Sequence, residues 1–342
     1  MKSLTICMMT LCVFFQFSCN RKEKYRKIVG ETMGTYYAIS FSSFNSTITK
    51  EKIDSVLIKF NNSLSTYIPN STISNINQSD SIYCFANNQD SYFKKIFNES
   101  KDIYHLSDGY FEPTIAPLVN YWGFGYEGHR AKSKIDTSEI EKLLSYVDFK
   151  NVTLHDNQDS ICIDKKNKET KLDFSAIAKG YGIDVISEFL DRNNIHNYLV
   201  DIGGESRAKG VNQRGHTWTL GINKPDSTAD VSDILIKIIL KNNSIATSGN
   251  YRNYHIVNGN VSAHIIDPMT GYSRQSEILS ASVISTNCMR ADALATCCMV
   301  MPIEESKKMI NKLDSTEALY ILSKNGNYKI EYTEGFKNYI EE

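Results

Sequence analysis

Tyr198-Leu199-Val200-Asp201-Ile202-Gly203-Gly204-Glu205 marks the point where the chain changes character. It reads as a short strand running into two glycines, and glycine admits the positive φ that a tight turn or a close backbone approach to a ligand requires. Beyond it, apolar runs recur at Trp218–Ile222, Ile234–Leu240, Ser244–Thr247, His255–Val257 and Ile278–Ser285, split by Gly, Asn and Pro turns, and Ala318–Leu322 and Tyr328–Tyr332 close the series. Before it, one strand is predicted at Thr35–Ser42, and helical spacing dominates. Ile53, Val56, Leu57, Phe60 and Leu64 predict a helix over Thr49–Leu64. Tyr92, Phe93, Ile96, Phe97, Ile103 and Tyr104 predict another, and Ile140, Leu143, Leu144 and Val147 a third. Ser175–Leu190, Met289–Met301 and Ile303–Leu313 also read as helices. Strands and helices mix without strict βαβ alternation, so the expected class is α+β, with largely antiparallel sheets and flanking helices, rather than a doubly wound parallel sheet. No repeat, low-complexity linker or domain boundary interrupts the 342 residues.

The N-terminus stands apart. Met1-Lys2 gives a short positive start and Leu4 to Phe17 is mostly apolar. That run falls short of the roughly 20 residues that span a bilayer, so it reads as the core of a signal peptide over residues 1–18. Ser18-Cys19 followed by Asn20-Arg21-Lys22-Glu23-Lys24 resembles a bacterial lipoprotein cleavage site. Lipidation on Cys19 would tether the mature protein to a membrane without spanning it, through a charged tether over residues 19–30. The expected location is outside the cytoplasm, on the periplasmic side of the inner or outer membrane.

Composition narrows the function classes. A net charge of −1 gives no broad basic field for nucleic acid. The 20 tyrosines suit stacking on planar ligands as well as ordinary β-rich packing. Beyond the leader and Cys19, the cysteines are Cys84, Cys162, Cys288, Cys297 and Cys298. None forms a CxxC pair, so neither a disulfide framework nor a zinc site is expected, and buried free thiols are.

Several segments carry chemistry. His264-Ile265-Ile266-Asp267-Pro268-Met269-Thr270-Gly271 brings an imidazole and a carboxylate together beside a turn. His264, with an unperturbed pKa of about 6.5, is the natural general base at neutral pH. Asp292 and Thr296 lie four apart on one face of a predicted helix; a carboxylate, a hydroxyl and a nearby carbonyl suit Mg²⁺, which takes oxygen ligands and shares them with substrate phosphates. Asp173 either caps the helix that follows it or faces an anion at that helix N-terminus, with Lys179 adding positive charge. Ala246-Thr247-Ser248-Gly249-Asn250 is either a polar turn or a set of donors for a phosphate.

Taken together these segments resemble the FAD:protein FMN transferase family, also called ApbE lipoproteins. The resemblance runs from Glu31-Thr32-Met33-Gly34-Thr35, through Ser65-Thr66-Tyr67-Ile68-Pro69-Asn70-Ser71, Ser107-Asp108-Gly109-Tyr110-Phe111-Glu112-Pro113-Thr114 and Trp122-Gly123-Phe124-Gly125, to Asp292-Ala293-Leu294-Ala295-Thr296. The Asp173–Gly180, Gly203–Glu205, Thr247–Gly249 and His264 segments fall between them in family order. The resemblance implies a catalytic domain over residues 31–342 that uses Mg²⁺ to transfer FMN from FAD to a Ser or Thr hydroxyl of an acceptor protein, releasing AMP. It implies an FAD site at Met33, Tyr67, Tyr110, Phe111, Glu112, Asp173, Lys179, Ser248 and Ile265. The metal would be held by the Ala176 carbonyl, Asp292 and Thr296. His264 takes the place of the base, with Asp267 as its orienter or its alternative. The implied acceptor is a membrane redox-complex subunit. Two other functions share the same residues: an Mg²⁺-dependent FAD pyrophosphatase giving FMN and AMP, and a lipid-anchored FAD-binding protein without chemistry.

Overall fold

The computed structural model describes residues 24–44, 47–128, 135–226, 228, 230, 232–250, 254–257, 260–274, 276–324 and 326–341, with the backbone alone for 254–257 and 260–262. The expected leader and Cys19 lie outside the described residues. Lys24–Thr32 (β1) and Thr35–Ser43 (β2) form an antiparallel hairpin. Its turn, Met33-Gly34, has φ of 51° and 70°; positive φ at both positions suits the strand twist of a two-residue hairpin. Lys50–Leu64 (α1), Thr72–Gln78 (α2), Ile82–Ala86 (β3), Ser91–Leu106 (α3), Ala116–Tyr121 (α4), Thr137–Leu144 (α5), Val152–Asp156 (β4), Ser160–Lys165 (β5) and Ser175–Arg192 (α6) follow. Strands then predominate: Tyr198–Ile202 (β6), Glu205–Lys209 (β7), Trp218–Asn223 (β8), Ile234–Leu240 (β9), Ser244–Gly249 (β10), Tyr254–Val257 (β11), Asn260–Ala263 (β12) and Ile278–Ser285 (β13). Cys288–Val300 (α7), Ile303–Ile310 (α8), Glu317–Lys324 (β14) and Asn327–Tyr332 (β15) complete the chain.

Eight strands join in the order β1-β2-β6-β7-β10-β13-β14-β15, every neighbouring pair antiparallel. The α+β expectation therefore holds. Period-2 alternation feeds two cores from single strands. Ala246, Ala281, Val283, Ala318 and Tyr320 face the larger core with α3, α6 and α7. Ile245, Ile284, Leu319 and Ile321 point the other way, toward Trp218, Ile238 and Leu240 of the β8–β9 hairpin and toward Phe336. Being covered on both faces explains why β14 reads as a continuous apolar run rather than an alternating one. A third cluster packs α1 against β2, β6 and α6.

α2, α3, α5 and α7 start where a side chain satisfies their first amides. Asp90 accepts from Tyr92 and Phe93 N–H at 3.1 and 3.0 Å to open α3, and Asn287 accepts from Arg290 N–H at 2.8 Å to open α7. α6 and α7 lie unusually close at Gly180, where a Cβ would meet the Cys288 carbonyl oxygen at 2.2 Å and Asp292 Cβ at 2.8 Å.

Two expectations are corrected. The charged tether over 19–30 gives way to β1 from Lys24 onward. Lys24, Arg26 and Lys27 are exposed charges on an edge strand, where they discourage pairing with another chain, so local charge misread the element. Cys84 and Cys162 are not free thiols: they face each other across the β3–β5 pair of a three-stranded sheet, β3-β5-β4, and form a disulfide. The residues lie 78 apart in sequence, and no local spacing announces the bond. Cys288, Cys297 and Cys298 are buried free thiols as expected. Among the described residues no helix is long and apolar enough to cross a membrane.

Candidate active site

One cavity of about 580 Å³ opens between the N-terminal end of α6, the β6–β7 turn, β10, α7 and the His264 segment. Tyr110, Phe111, Glu112, Asp173, Ala176, Lys179, Ser248, His264, Ile265, Asp292 and Thr296 all line it, as do Gly203, Gly204, Glu205 and Thr247.

The α3 exit supplies one wall. Asp108 and Gly109 adopt φ of 51° and 85°, ending the helix and redirecting the chain into the cavity. Ser107 Oγ accepts from Phe111 N–H at 2.9 Å and fixes that redirection. The Glu112 carboxylate is committed to the loop. It accepts from Thr114 N–H at 2.8 Å, Thr114 Oγ1 at 2.6 Å and Phe149 N–H at 3.2 Å, and burial raises its pKa against those bonds. Asp173 accepts from Ser175 N–H at 2.8 Å, so it does satisfy the start of α6, and burial raises its pKa as well. Its neighbour Leu172 is held on both backbone groups by the buried amide of Asn77, at 2.7 and 2.8 Å. Asn77 was invisible to local pattern because its partner lies far along the chain.

The opposite wall carries the charges. Asp292 is 2% exposed; its Oδ2 accepts from Gly180 N–H at 2.9 Å. By helix periodicity that amide follows the Ala176 carbonyl by one turn, and Ala176 lines the same cavity. Lys179 Nζ lies 2.8 Å from Glu205 Oε1 and 3.7 Å from Asp292 Oδ1. Burial pushes the Asp292 carboxyl up, to about 7, against the pull of Lys179. Burial works against the Lys179 ammonium, but Asp292 and Glu205 together hold its pKa above the usual lysine value. Thr296 Oγ1 is 3.3 Å from Ser248 Oγ. The whole helix is clamped at its start: Asp184 on α6 accepts from Cys288 N–H at 3.0 Å and Met289 N–H at 2.8 Å, and Arg207 on β7 pairs with it.

A metal here would rest on few protein ligands. Among the described residues no three His, Cys, Asp or Glu side chains cluster as a metal group. One buried carboxylate, one hydroxyl and one main-chain carbonyl fit Mg²⁺, which completes its shell with water and substrate oxygens.

The His264 segment also lines the cavity. Ser273 Oγ donates to the Ala263 carbonyl at 2.9 Å and Arg274 N–H to the Ile265 carbonyl at 2.8 Å, so the segment is held from its own return strand. The His264 ring packs edge-on to Phe124, with centroids 6.2 Å apart. Three of the expected residues do not line the cavity. Asp267 is buried below it, accepting from Met269 N–H at 2.9 Å and pairing with Arg274 at 3.4 Å, which makes it the organiser of the Pro268–Gly271 turn. Met33 packs toward Gly182, where a Cβ would come within 2.6 Å of Met33 Cε. Tyr67 stands outside, 71% exposed, edge-on to Tyr126.

The model of the ApbE family matches residues 33–320. The chain belongs to the ApbE family. Relatives named FAD:protein FMN transferase come from Haemophilus influenzae, 33% identical over 90% of this chain and 90% of that protein, and from Vibrio cholerae serotype O1, 33% identical over 94% and 95%. The solved flavin transferase ApbE from Vibrio cholerae superposes with a TM-score of 0.82 at 31% identity, covering 93% of this chain and all of that one. The ApbE protein from Thermotoga maritima gives 0.78 at 29%, covering 93% and 100%. In this ApbE-family chain, Glu205 is the site residue that sequence reading passed over. In sequence it ends a Gly-Gly turn, although a carboxylate directly after two glycines and leading a buried strand is itself a signal.

Proposed function

We propose that this protein transfers the FMN half of FAD to a Ser or Thr hydroxyl of an acceptor protein, with Mg²⁺ held by the Ala176 carbonyl, Asp292 and Thr296, and with AMP released. The single observation behind this reading is the convergence of Lys179, Asp292, Thr296 and His264 on one cavity whose size lies in the range of ligand pockets. Tyr110, Phe111 and Ile265 give it apolar walls, and Asp173, Glu112 and Ser248 polar contacts for the flavin nucleotide. Met33 and Tyr67 join from outside the lining, Tyr67 as an exposed ring beside the entrance.

The acceptor oxygen forms a bond to the FMN-side phosphorus. The bond from that phosphorus to the bridging oxygen breaks, and AMP leaves with the electron pair. His264 takes the hydroxyl proton. Lys179 keeps positive charge beside the phosphates, and the apolar walls exclude water, the competing acceptor. Mg²⁺, when bound, neutralises charge on the phosphate oxygens. Asp267 acts through the turn it organises, which links the His264 segment to Ser273 and Arg274.

The acceptor is proposed to be a membrane redox-complex subunit. The protein is proposed to be a lipoprotein anchored through Cys19 and facing the periplasm, a reading that the Cys84–Cys162 disulfide supports, since disulfides persist in oxidising compartments.

The test mixes the protein with FAD, Mg²⁺ and a candidate acceptor domain, then reads acceptor mass and in-gel flavin fluorescence. A covalent FMN adduct lost in Asp292→Ala is the expected result. AMP and free FMN without adduct would replace the transferase by a pyrophosphatase, and intact bound FAD by a carrier.

A further inference from the structure

Lys179 is shared by two buried carboxylates, and the sharing is unequal. Its ammonium makes a charge-assisted hydrogen bond to Glu205 at 2.8 Å, while Asp292 Oδ1 stands at 3.7 Å, beyond hydrogen-bond reach. The two acids are fixed by their backbones. Asp292 sits on α7, anchored through Gly180 N–H at 2.9 Å. Glu205 leads β7 directly after Gly203 and Gly204, whose φ of 65° and 105° fold the hairpin back so that the carboxylate lines the cavity at 5% exposure. Lys179, with a long flexible stem and a side chain 30% exposed, is the movable member.

Glu205 has a second peculiarity. Its Oε2 is buried without a hydrogen-bond partner. An unsatisfied buried carboxylate oxygen is costly, and its presence calls for a reason beyond packing. We infer that Glu205 is a positioning residue that holds the Lys179 ammonium off Asp292 and so keeps Asp292 open to a divalent cation. The inference rests on the metal reading of Asp292 given above. Without the Glu205 charge, Lys179 has one anion left to pair with and closes onto Asp292. A divalent cation must then displace an ammonium from the one protein carboxylate it uses.

Mn²⁺ binding to the purified full chain, followed by the loss of the free-ion electron paramagnetic resonance signal, tests this without any turnover. The wild type binds Mn²⁺, and Asp292→Asn does not. Glu205→Gln weakens binding about tenfold. In a Lys179→Met background the same Glu205→Gln change has little effect, because no ammonium remains to be held away. Thermal melts of each variant establish that the fold persists. Equal losses from Glu205→Gln in both backgrounds would reduce Glu205 to a through-space charge and overturn the proposal, as would undiminished binding in Glu205→Gln alone. A wild type that takes up no Mn²⁺ would overturn the metal reading and this inference together. Binding by the wild type that survives Asp292→Asn would move the metal elsewhere and also overturn both.

Discussion

Gly180 donates its backbone N–H to Asp292 Oδ2 across 2.9 Å, joining the first turns of α6 to the face of α7 that lines the cavity. The bond exists because glycine lets the two helices approach. A methyl group at Gly180 would lie 2.2 Å from the Cys288 carbonyl oxygen, which is backbone and cannot step aside. Gly180→Ala is therefore expected to destabilise the protein by about 1–3 kcal/mol, the usual range for forcing extra volume into a packed interior. FAD binding should weaken as α7 shifts. Chemical denaturation and flavin titration measure the two effects, and a variant with unchanged stability would mean that the helices separate freely.

His264 lines the cavity from a segment held on its return strand, whereas the Asp267 carboxylate is occupied by Met269 N–H and Arg274. His264→Ala is expected to lower the rate of flavin transfer by about 10²–10⁴, the range for losing a general base, with FAD affinity nearly unchanged. Single-turnover assays separate rate from binding. A loss below tenfold would pass the role of base to another group.

Lys165 provides a pH dependence whose sign can be fixed. It is 1% exposed, and its ammonium donates to the carbonyls of Asn77 and Thr170, each at 3.3 Å. Burial, and then the charge of Lys171, pull its pKa from 10.5 down to about 8. Between those values the unfolded chain binds the proton and the folded chain does not, so the Lys165 contribution to stability grows with pH. It is complete above 10.5 and is lost as pH falls through 8. The stability of the wild type relative to Lys165→Met should thus rise by up to about 3 kcal/mol from pH 8 to 10.5. Denaturation curves across that interval provide the check; a pH-independent difference would mean that Lys165 stays charged throughout.

The Cys84–Cys162 bond closes a loop with a sequence separation of 78 between two strands of the small sheet. Replacing both residues by Ser is expected to cost about 2–4 kcal/mol, as is usual for removing a native disulfide. The same loss should appear in the wild type on reduction with dithiothreitol, read as a lower melting temperature. Identical melting with and without reductant would show that the small sheet is held by packing alone.

The larger elements were legible because their apolar spacing is long and regular. β6, β9 and β13 fall where the runs of Tyr198–Ile202, Ile234–Leu240 and Ile278–Ser285 put them, and α1, α6 and α7 lie within a residue or two of expectation. β3, β4, β5 and β7 were missed. They are short, and polar residues such as Asp164, Ser206 and Arg207 break the apolar pattern for reasons that only their cross-strand or tertiary partners explain. In the site, ordered motifs located most of the lining. They could not separate a side chain that faces the cavity from one that holds a turn beneath it, as with Asp267. Nor could they reveal Asn77 or Asp184, whose roles are hydrogen bonds to backbone groups far away in sequence.

The strand order has a bearing on when the protein becomes competent. β10 pairs with β13 on one side and β7 on the other, and α7, with Asp292, enters the molecule only after β13 has been laid down. A chain still emerging from the ribosome, complete through β12, holds Tyr110, Lys179 and Glu205 but neither Asp292 nor the helix that closes the larger core. Such a topology, rich in contacts distant along the chain, folds slowly. A partly synthesised molecule therefore lacks one wall of the cavity until α7 is in place.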